Sequence, residues 1–364
     1  MTLLFSDGFE SYTTGGGRTE LDPIYDYNAV IDTADANILN EGRVSGKCAI
    51  NRDGTNTFNR SFGHDIDAAS LSSSGTWIVG FAVKYDQNNF SINTNQRMGL
   101  IQFRDSAQLP MVSIYISSGV FNVVTGGTLS TTKIGFTDVG ILTNVWHYVE
   151  LKVTFHLTSG AVVMQVDGQS VLSTTGITAP DTGTFPIETV PSYLTVGGTA
   201  ARTRVLIDDL YVCDSAGSVN NDFLGDIGNR RLDATAEGTT NDFTPNTGTD
   251  NSALISETDR DDDTTYVESS TIGHNDLYVM ENSPASPGTI AALQVWSTSK
   301  TDDGNPKGGS NMVLSGGFES LGGTEAITSA YLPYQSLHPT DPNGGAAWDE
   351  TGVNAVEVGV EVVS

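Results

Sequence analysis

The chain has 364 residues, which is enough for two domains of ordinary size, and 38% of them are hydrophobic. It carries 17 Lys and Arg against 44 Asp and Glu, a formal net charge of -27. Because phosphate backbones and anionic lipids attract Lys and Arg, this balance argues against nucleic acid or a membrane as the partner.

The rest of the composition is typical of a turn-rich β protein. Only 17% of the residues are charged, and 40 are glycines. The N-terminal segment lacks a basic region, and its apolar run is too short for a signal peptide. No segment approaches the length of a transmembrane helix. We therefore expect a protein that folds in a cytoplasm.

Short segments rich in β-branched and aromatic residues recur through the first half of the chain, bounded by Gly, Asp, Asn or Pro. The segment Trp77–Val83 is apolar at nearly every position, which is typical of a central strand covered on both faces. The predicted strands are Leu3–Phe5, Lys47–Ile50, Trp77–Val83, Met98–Phe103, Val112–Ser117, Val120–Val124, Val145–Val153, Val162–Val166 and Leu206–Val212.

Residues 214–221 are small and polar, and we place a domain boundary there, which gives domains 1–215 and 216–364. The last predicted strand alternates valines with Glu357, Gly359 and Glu361, so we expect those three to face outward on an edge strand. The strands predicted after the boundary are Leu277–Met280, Ile290–Trp296, Met312–Leu314, Ala326–Leu332 and Ala355–Val363.

Three consecutive motifs, NVWHYVELKVTF, GAVVMQVDGQSVL and VLIDDLYVCD, combine a tryptophan strand, a hairpin that turns at Asp-Gly and a closing strand. With LFSDGFESY and GTWIVGFAVKY upstream, they make residues 1–215 resemble a concanavalin A-like, or laminin-G-like, jelly roll. The resemblance implies an all-β chain: an N-terminal concanavalin A-like jelly-roll sandwich followed by a second, smaller β-sandwich domain in residues 216–364.

Two later segments, NDFLGDIGNRRL and AAWDETGVNAVEVGVEVV, are similar to segments of proteins from tailed bacteriophage virions. This resemblance implies a structural protein exposed on the tail or capsid, which decorates the particle or adheres to host-surface glycans. Its partners would be other virion proteins and host surface polysaccharide, and it would form a homo-oligomer on the particle. Its location would be the virion, and the second domain would anchor it there.

Two alternatives stay open: a secreted carbohydrate-binding module or glycan-degrading enzyme, and a purely architectural capsid cement protein without a ligand. The sequence contains no HExxH, Gly-x-Ser-x-Gly or phosphate-loop motif. The paired carboxylates that laminarinase-type relatives of this fold carry on one strand are absent, since Glu150 is the only carboxylate on the tryptophan strand. We therefore expect a protein that is not an enzyme.

The jelly-roll resemblance also implies a structural calcium ion. Carbohydrate-binding members often clamp calcium between a Phe-Glu pair near the first strand and an Asp pair on the last. The matching residues are Glu10, Asp208 and Asp209. Calcium takes about six to eight oxygen ligands, so backbone carbonyls would complete the site. In the alternative, an aspartate accepts hydrogen bonds from a neighbouring loop and Glu10 is solvated.

Tyr25 and Tyr27 lie in a loop-like stretch, and they would stack on sugar rings if exposed or belong to the core if buried. Two cysteines, Cys48 and Cys213, are too few for a disulfide framework. Both fall on predicted strands near the ends of the first domain, so a single bridge and two buried thiols are both open.

Overall fold

The structure is a computed structural model, and its regular secondary structure is nearly all β-strand, in antiparallel sheets that form sandwich-like layers, as predicted. Within the residues that it describes, no helix has the length and apolar character needed to cross a membrane. It describes residues 3–16, 21, 23–25, 27–29, 38–44, 46–52, 61–65, 75–86, 97–104, 110–117, 120–126, 133–140, 142–176, 178, 188–191, 194–195, 204–285, 288–302 and 307–364.

The chain divides into two compact units, Met1–Asn229 and Arg230–Ser364. The strands of the first unit are β1 Leu3–Asp7, β2 Tyr27–Ala29, β3 Ile38–Leu39, β4 Cys48–Arg52, β5 Ser61–Asp65, β6 Thr76–Asp86, β7 Arg97–Arg104, β8 Pro110–Ser117, β9 Val120–Thr125, β10 Lys133–Gly140, β11 Trp146–Thr154, β12 Gly160–Val166, β13 Gln169–Gly176, β14 Glu188–Pro191, β15 Leu194–Thr195 and β16 Arg204–Asp214.

These strands form two antiparallel sheets. The first sheet has the order β13-β12-β11-β6-β16-β4-β3, and β1 also pairs with β16. The second sheet has the order β10-β9-β8-β7-β14-β5-β2, and β15 also pairs with β7. Each strand that we predicted in residues 1–215 lies in one of these sheets.

Strand β11 shows which face of each sheet is the core face. Its residues Val149, Leu151 and Val153 are fully buried and alternate with more polar ones. Phe155, next in the same phase, meets Phe103 of the second sheet with ring centroids 5.5 Å apart. The inner faces of the two sheets therefore pack through these side chains, each of which contributes about 1.5–3 kcal/mol by its burial.

Residues 214–229, which we call the strap, cover part of the outer face of the first sheet. The Tyr211 hydroxyl donates to Glu150 Oε1 at 2.5 Å, and the Gly225 amide donates to the same oxygen at 2.8 Å. The Leu224 amide donates to the Tyr211 hydroxyl at 3.1 Å. Glu150 is fully buried by these contacts.

These contacts attach the strap to the first unit. The structure therefore divides the chain between residues 229 and 230, whereas the sequence placed the boundary between 215 and 216. The small polar residues after Asp214 suggested a linker, but Lys152 and Asp222 form an ion pair of 3.1 Å and the Asn229 amide donates to Asp209 at 2.6 Å.

In the part that the structure describes, the second unit contains one six-stranded sheet of order β17-β20-β26-β22-β23, in which β24 also pairs with β22, and two separate two-stranded sheets, β18-β19 and β21-β25. Its elements are β17 Ala234–Asn241, β18 Thr244–Pro245, β19 Val267–Glu268, β20 Asn275–Met280, β21 Leu293–Ser299, β22 Lys307–Ser315, β23 Phe318–Leu321, β24 Glu325–Ile327, β25 Leu332–His338, α1 Glu350–Ala355 and β26 Glu357–Val362. Its core cluster is Val295, Val313, Trp348, Val353 and Val356.

Two expectations about β26 are wrong. The strand is not at an edge, because it pairs with β20 on one side and β22 on the other. Gly359 is not exposed: it is buried, and a Cβ atom there would lie 1.8 Å from the carbonyl oxygen of Asp276. The predicted strand Ala326–Leu332 is also interrupted, since β24 ends at Ile327 and β25 begins at Leu332.

Candidate functional site

A row of polar side chains lies on the outer face of the second sheet. Because Phe103 points into the core, its neighbours Gln102 and Arg104 point outward. In the strand register, Gln102 lies opposite Ser113, and Tyr115 lies opposite Asn122. We define the polar row as Gln102, Arg104, Ser113, Tyr115, Asn122 and Lys133.

One end of the polar row is buried and held by a chain of hydrogen bonds. Arg104 Nε donates to Gln102 Oε1 at 2.7 Å, and Gln102 Nε2 donates to Ser113 Oγ at 3.0 Å. Ser113 Oγ in turn donates to the Gly126 carbonyl at 2.6 Å. Since buried polar groups are costly without partners, this chain fixes the positions of the amide and guanidinium groups.

The other end of the polar row reaches solvent at β10. Lys133 is exposed, and its Nζ donates to Asn122 Oδ1 at 3.1 Å. Phe136 lies opposite Asn122 in the register, and 57% of its surface is exposed. An apolar ring and an ammonium group therefore stand together at the open edge of an otherwise buried row.

The charge of this face differs from that of the chain as a whole. The described side chains of β7 to β10, residues 99–104, 110–117, 120–125 and 133–136, include Arg104 and Lys133 but no Asp or Glu. Glycosidases hydrolyse with two facing carboxylates, which these positions do not provide. Guanidinium, ammonium and amide groups instead suit an anionic ligand, because they donate hydrogen bonds to carboxylate oxygens.

Sequence reasoning missed the polar row, although the sequence contains a signal for it. Gln102 and Arg104 alternate with apolar residues in a strand that is otherwise apolar, and so do Ser113 and Tyr115. Polar residues at every second position mark one face of a strand. The pattern shows which side chains share a face, but only the pairing of β7, β8, β9 and β10 brings four such faces together.

The two aspartates of the predicted calcium site are buried in the first sheet. Asp208 Oδ1 accepts from the Asp209 amide at 2.8 Å, and Oδ2 accepts from the Arg43 amide at 2.7 Å. Asp209 Oδ1 accepts from the Asn229 amide at 2.6 Å, and Oδ2 accepts from Arg43 Nε at 2.7 Å. Each of the four carboxylate oxygens therefore has a protein N–H donor.

The third predicted ligand, Glu10, accepts a hydrogen bond from the Lys47 amide at 3.0 Å. Burial, together with the charges of Asp209 and Glu10, raises the pKa of Asp208 to about 8. Among the described residues, no group of three His, Cys, Asp or Glu is arranged to hold a metal ion. Calcium stays a prediction, but the oxygens do not fit it as they stand, because an ion would have to displace Arg43.

The predicted sugar-stacking residue Tyr25 is buried, so its ring is not available to a sugar at the surface. Its hydroxyl donates to Asp7 Oδ2 at 2.7 Å, and its ring stacks on Phe9 with centroids 6.5 Å apart. Burial raises the pKa of Asp7 to about 6. The backbone of Tyr27 lies in β2, and its side chain lies outside the described residues.

Both cysteines, Cys48 and Cys213, are buried free thiols. Of the two possibilities that the sequence left open, the structure therefore contains the unbridged one. Cys48 lies in β4, and Cys213 lies in β16 beside β1.

No protein-family model matches the chain, and no curated protein matches it. It is similar to several solved structures, including the following three. For the alginate lyase Aly36B, the identity is 12%, the TM-score is 0.40, and the match covers 57% of this chain and 95% of that one. For a GH131 β-glucanase catalytic domain from Podospora anserina, the identity is 13%, the TM-score is 0.41, and the match covers 60% of this chain and 98% of that one. For a conserved carbohydrate esterase from Shiga toxin-encoding bacteriophage phi24B, the identity is 14%, the TM-score is 0.39, and the match covers 57% of this chain and 99% of that one.

These comparisons correct the prediction that the protein is not an enzyme. The similar structures include a lyase, a glucanase and an esterase, which contradicts the prediction. It was based on the absence of linear catalytic motifs. That reasoning fails for a sheet, because a site on a sheet face is assembled from alternate residues of several strands, as in the polar row.

Proposed function

We propose that the chain is a carbohydrate-active protein that binds an acidic polysaccharide on the outer face of the second sheet. The observation that carries the proposal is the polar row, where cationic and amide groups are collected on a face whose described side chains include no carboxylate. In a chain with a net charge of -27, the positive side chains of Arg104 and Lys133 offset the repulsion that an anionic polymer would otherwise meet.

The open edge of the row is where we place the first contact with the polymer. Lys133 would pair with a sugar carboxylate, and Phe136 would stack on the apolar face of the same or the next ring. Asn122 holds the ammonium group of Lys133 in position through its amide oxygen. Neutral sugars would keep the stacking contact but lose the ion pair.

The reaction that this set of groups supports is β-elimination at a uronic acid. Lys133 would neutralise the sugar carboxylate, which acidifies the adjacent C5–H. The Tyr115 phenol lies opposite Asn122 in the register and is buried as it stands, so the polymer would have to open the row to reach it. Once reached, its phenolate would take the C5 proton and then give that proton to O4. The C5–H and C4–O4 bonds break, a C4–C5 double bond forms, and O4 leaves with a proton.

The binding part of the proposal is tested by titration calorimetry of the full chain with alginate, polygalacturonate and a neutral β-glucan. We expect binding to the acidic polymers, weakened about tenfold (~1.4 kcal/mol) or more by either Lys133→Met or Phe136→Ala. A matched control is Phe318→Ala in the second unit, because Phe318 is 58% exposed and Phe136 57%. Equal affinity for neutral and acidic polymers, or unchanged binding by both variants, would contradict the proposal.

The catalytic part is tested separately through the ultraviolet absorbance of the unsaturated uronate product. Tyr115→Phe should retain binding and lose product formation, since it removes only the hydroxyl group. Product formation that is unchanged in Tyr115→Phe would exclude a role for the phenol. If the wild-type protein binds the polymer but forms no product, the site is a binding site and the proposed β-elimination is wrong.

A virion location is a separate proposal, supported by the resemblance of NDFLGDIGNRRL and the C-terminal segment to tailed-bacteriophage virion proteins. It includes other virion proteins as partners and a homo-oligomer on the particle, where many copies would strengthen weak glycan contacts. Mass spectrometry of washed particles should find the chain in multi-copy amounts. Its absence from such particles would contradict the proposal.

A further inference from the structure

The predicted calcium position of the first unit contains a cationic side chain of the protein itself. Arg43 Nε pairs with Asp209 Oδ2 at 2.7 Å, and 15% of its side chain is exposed. The other two guanidinium nitrogens donate to an Asp226 carboxylate oxygen and to the Ile227 carbonyl oxygen. Its guanidinium carbon also lies 5.0 Å from the centre of the Tyr148 ring.

The backbone around Arg43 is tied to the other two predicted ligands. The Arg43 amide donates to Asp208 Oδ2 at 2.7 Å, and the Lys47 amide donates to Glu10 Oε2 at 3.0 Å. Lys47 is itself buried, and its ammonium group donates to the Tyr12 carbonyl at 2.5 Å. Arg43 and the Lys47 amide therefore contact all three carboxylates that the resemblance assigned to calcium, and Arg43 brings a positive side chain among them.

We propose that the Arg43 side chain takes the place of the calcium ion. It joins its own segment to β16 and to the strap by binding carboxylate and carbonyl oxygens. A divalent ion would gather the same ligand types, two or more carboxylates and a backbone carbonyl. The guanidinium gathers them with directed hydrogen bonds instead, and its planar fork serves several acceptors at once.

The charges at the site agree with this role. Burial acts to lower the pKa of Arg43, but Asp209 and Asp226 outweigh it and raise the pKa above its usual value. A guanidinium group keeps its charge throughout the pH range in which proteins fold. The stability of the first unit should then be independent of calcium, which distinguishes this arrangement from a calcium-clamped jelly roll.

The experiment compares melting temperatures of the full-length wild type and Arg43→Met in chelator and in millimolar calcium. The wild type should melt at the same temperature in both. Arg43→Met should melt lower by roughly 5–15 °C in chelator, the effect of losing a buried ion pair in a domain of this size. Calcium should recover part of that loss, because removing the guanidinium leaves uncompensated carboxylates around a vacated position.

A second variant, Arg43→Lys, tests the proposal if Arg43→Met does not fold. It retains one positive charge but not the fork, so we expect an intermediate melting temperature without a calcium response. The proposal is overturned if calcium stabilises the wild type, if Arg43→Met is as stable as the wild type, or if a folded Arg43→Met gains nothing from calcium. It is also overturned if Arg43→Lys has the same melting temperature as the wild type. None of these readings depends on glycan binding.

Discussion

The two sheets of the first unit present outer faces of opposite character. On the first sheet, the buried acids Glu150 and Asp209 lie beneath the strap, and their oxygens are occupied by protein donors. On the second sheet, Arg104 and Lys133 belong to a row that opens to solvent at one edge. Both faces are polar, but only one ends in groups that a ligand can reach.

The comparison shows that buried polar residues on a sheet face do not by themselves define a site. Glu150 is nearly inaccessible, and its role is to bind the Tyr211 hydroxyl and the Gly225 amide. Lys133 and Phe136 differ because they are exposed at the end of a network. The first face therefore contributes stability, and we propose the second for ligand binding.

Removing an acid from the first face should have the largest effect on stability. Asp209→Ala leaves Arg43 and the Asn229 amide without their partner, so we expect the free energy of unfolding to fall by about 3 kcal/mol. Urea unfolding followed by tryptophan fluorescence measures it. The matched control is Asp263→Ala, which breaks an exposed pair with Lys300 and should change little. If the two variants lower the free energy of unfolding equally, the distinction between buried, paired acids and exposed ones is wrong.

The first sheet should also make the protein more stable in mild acid. The pKa of Asp7 in β1 is about 6 when folded and 3.8 without its surroundings, so between these pH values only the folded state holds the proton. Stability falls as pH rises through that window. Relative to Asp7→Asn, the wild type should lose on the order of 1–3 kcal/mol between about pH 4 and pH 7.

The control for the pH experiment comes from the second sheet. Lys133→Met should show the same dependence on pH as the wild type, because it removes no buried acid. The measurement is urea unfolding of the three proteins at each pH. A wild type that tracks Asp7→Asn at every pH would show that the pKa of Asp7 is not raised.

The smallest effect concerns the exposed attachment of the strap. Lys152 and Asp222 are 28% and 67% exposed at the side chain, so Lys152→Met should cost less than about 1 kcal/mol. Unfolding in urea and the rate of proteolysis within residues 214–229 should both stay near the wild-type values. A large loss in either would mean that the strap depends on this pair rather than on its buried contacts with Glu150.

The strands could be predicted from the sequence because their signal is local. Trp77–Val83 and Val112–Ser117 are continuous or alternating apolar segments, and each lies within an observed strand. The neighbours of a strand are not a local property. The alternating pattern of residues 355–363 contains nothing that distinguishes an edge from a centre, and the pairing of β26 with β20 and β22 was therefore missed.

The site was less predictable for a related reason. Glu10, Asp208 and Asp209 each accept a hydrogen bond from Arg43 or Lys47, whereas calcium itself stays a prediction. Arg43 was not considered, since its contacts with Asp208 and Asp209 span 165 and 166 residues of sequence. Tyr25 shows the limit of context: a polar stretch surrounds it, yet its ring is packed against Phe5 and Phe9.

The pairing of β1 with β16 has a consequence for synthesis on the ribosome. Leu3 lies opposite Cys213, and β16 also joins β6 to β4, so the first sheet cannot close until residues 204–214 have emerged. The same holds for the second unit, whose strands β20 and β22 meet only through β26. Such long-range closure is slow. Each unit is therefore translated almost to its last strand while strand edges in its sheet are still unpaired. We expect the nascent chain to depend most on chaperones just before that strand emerges.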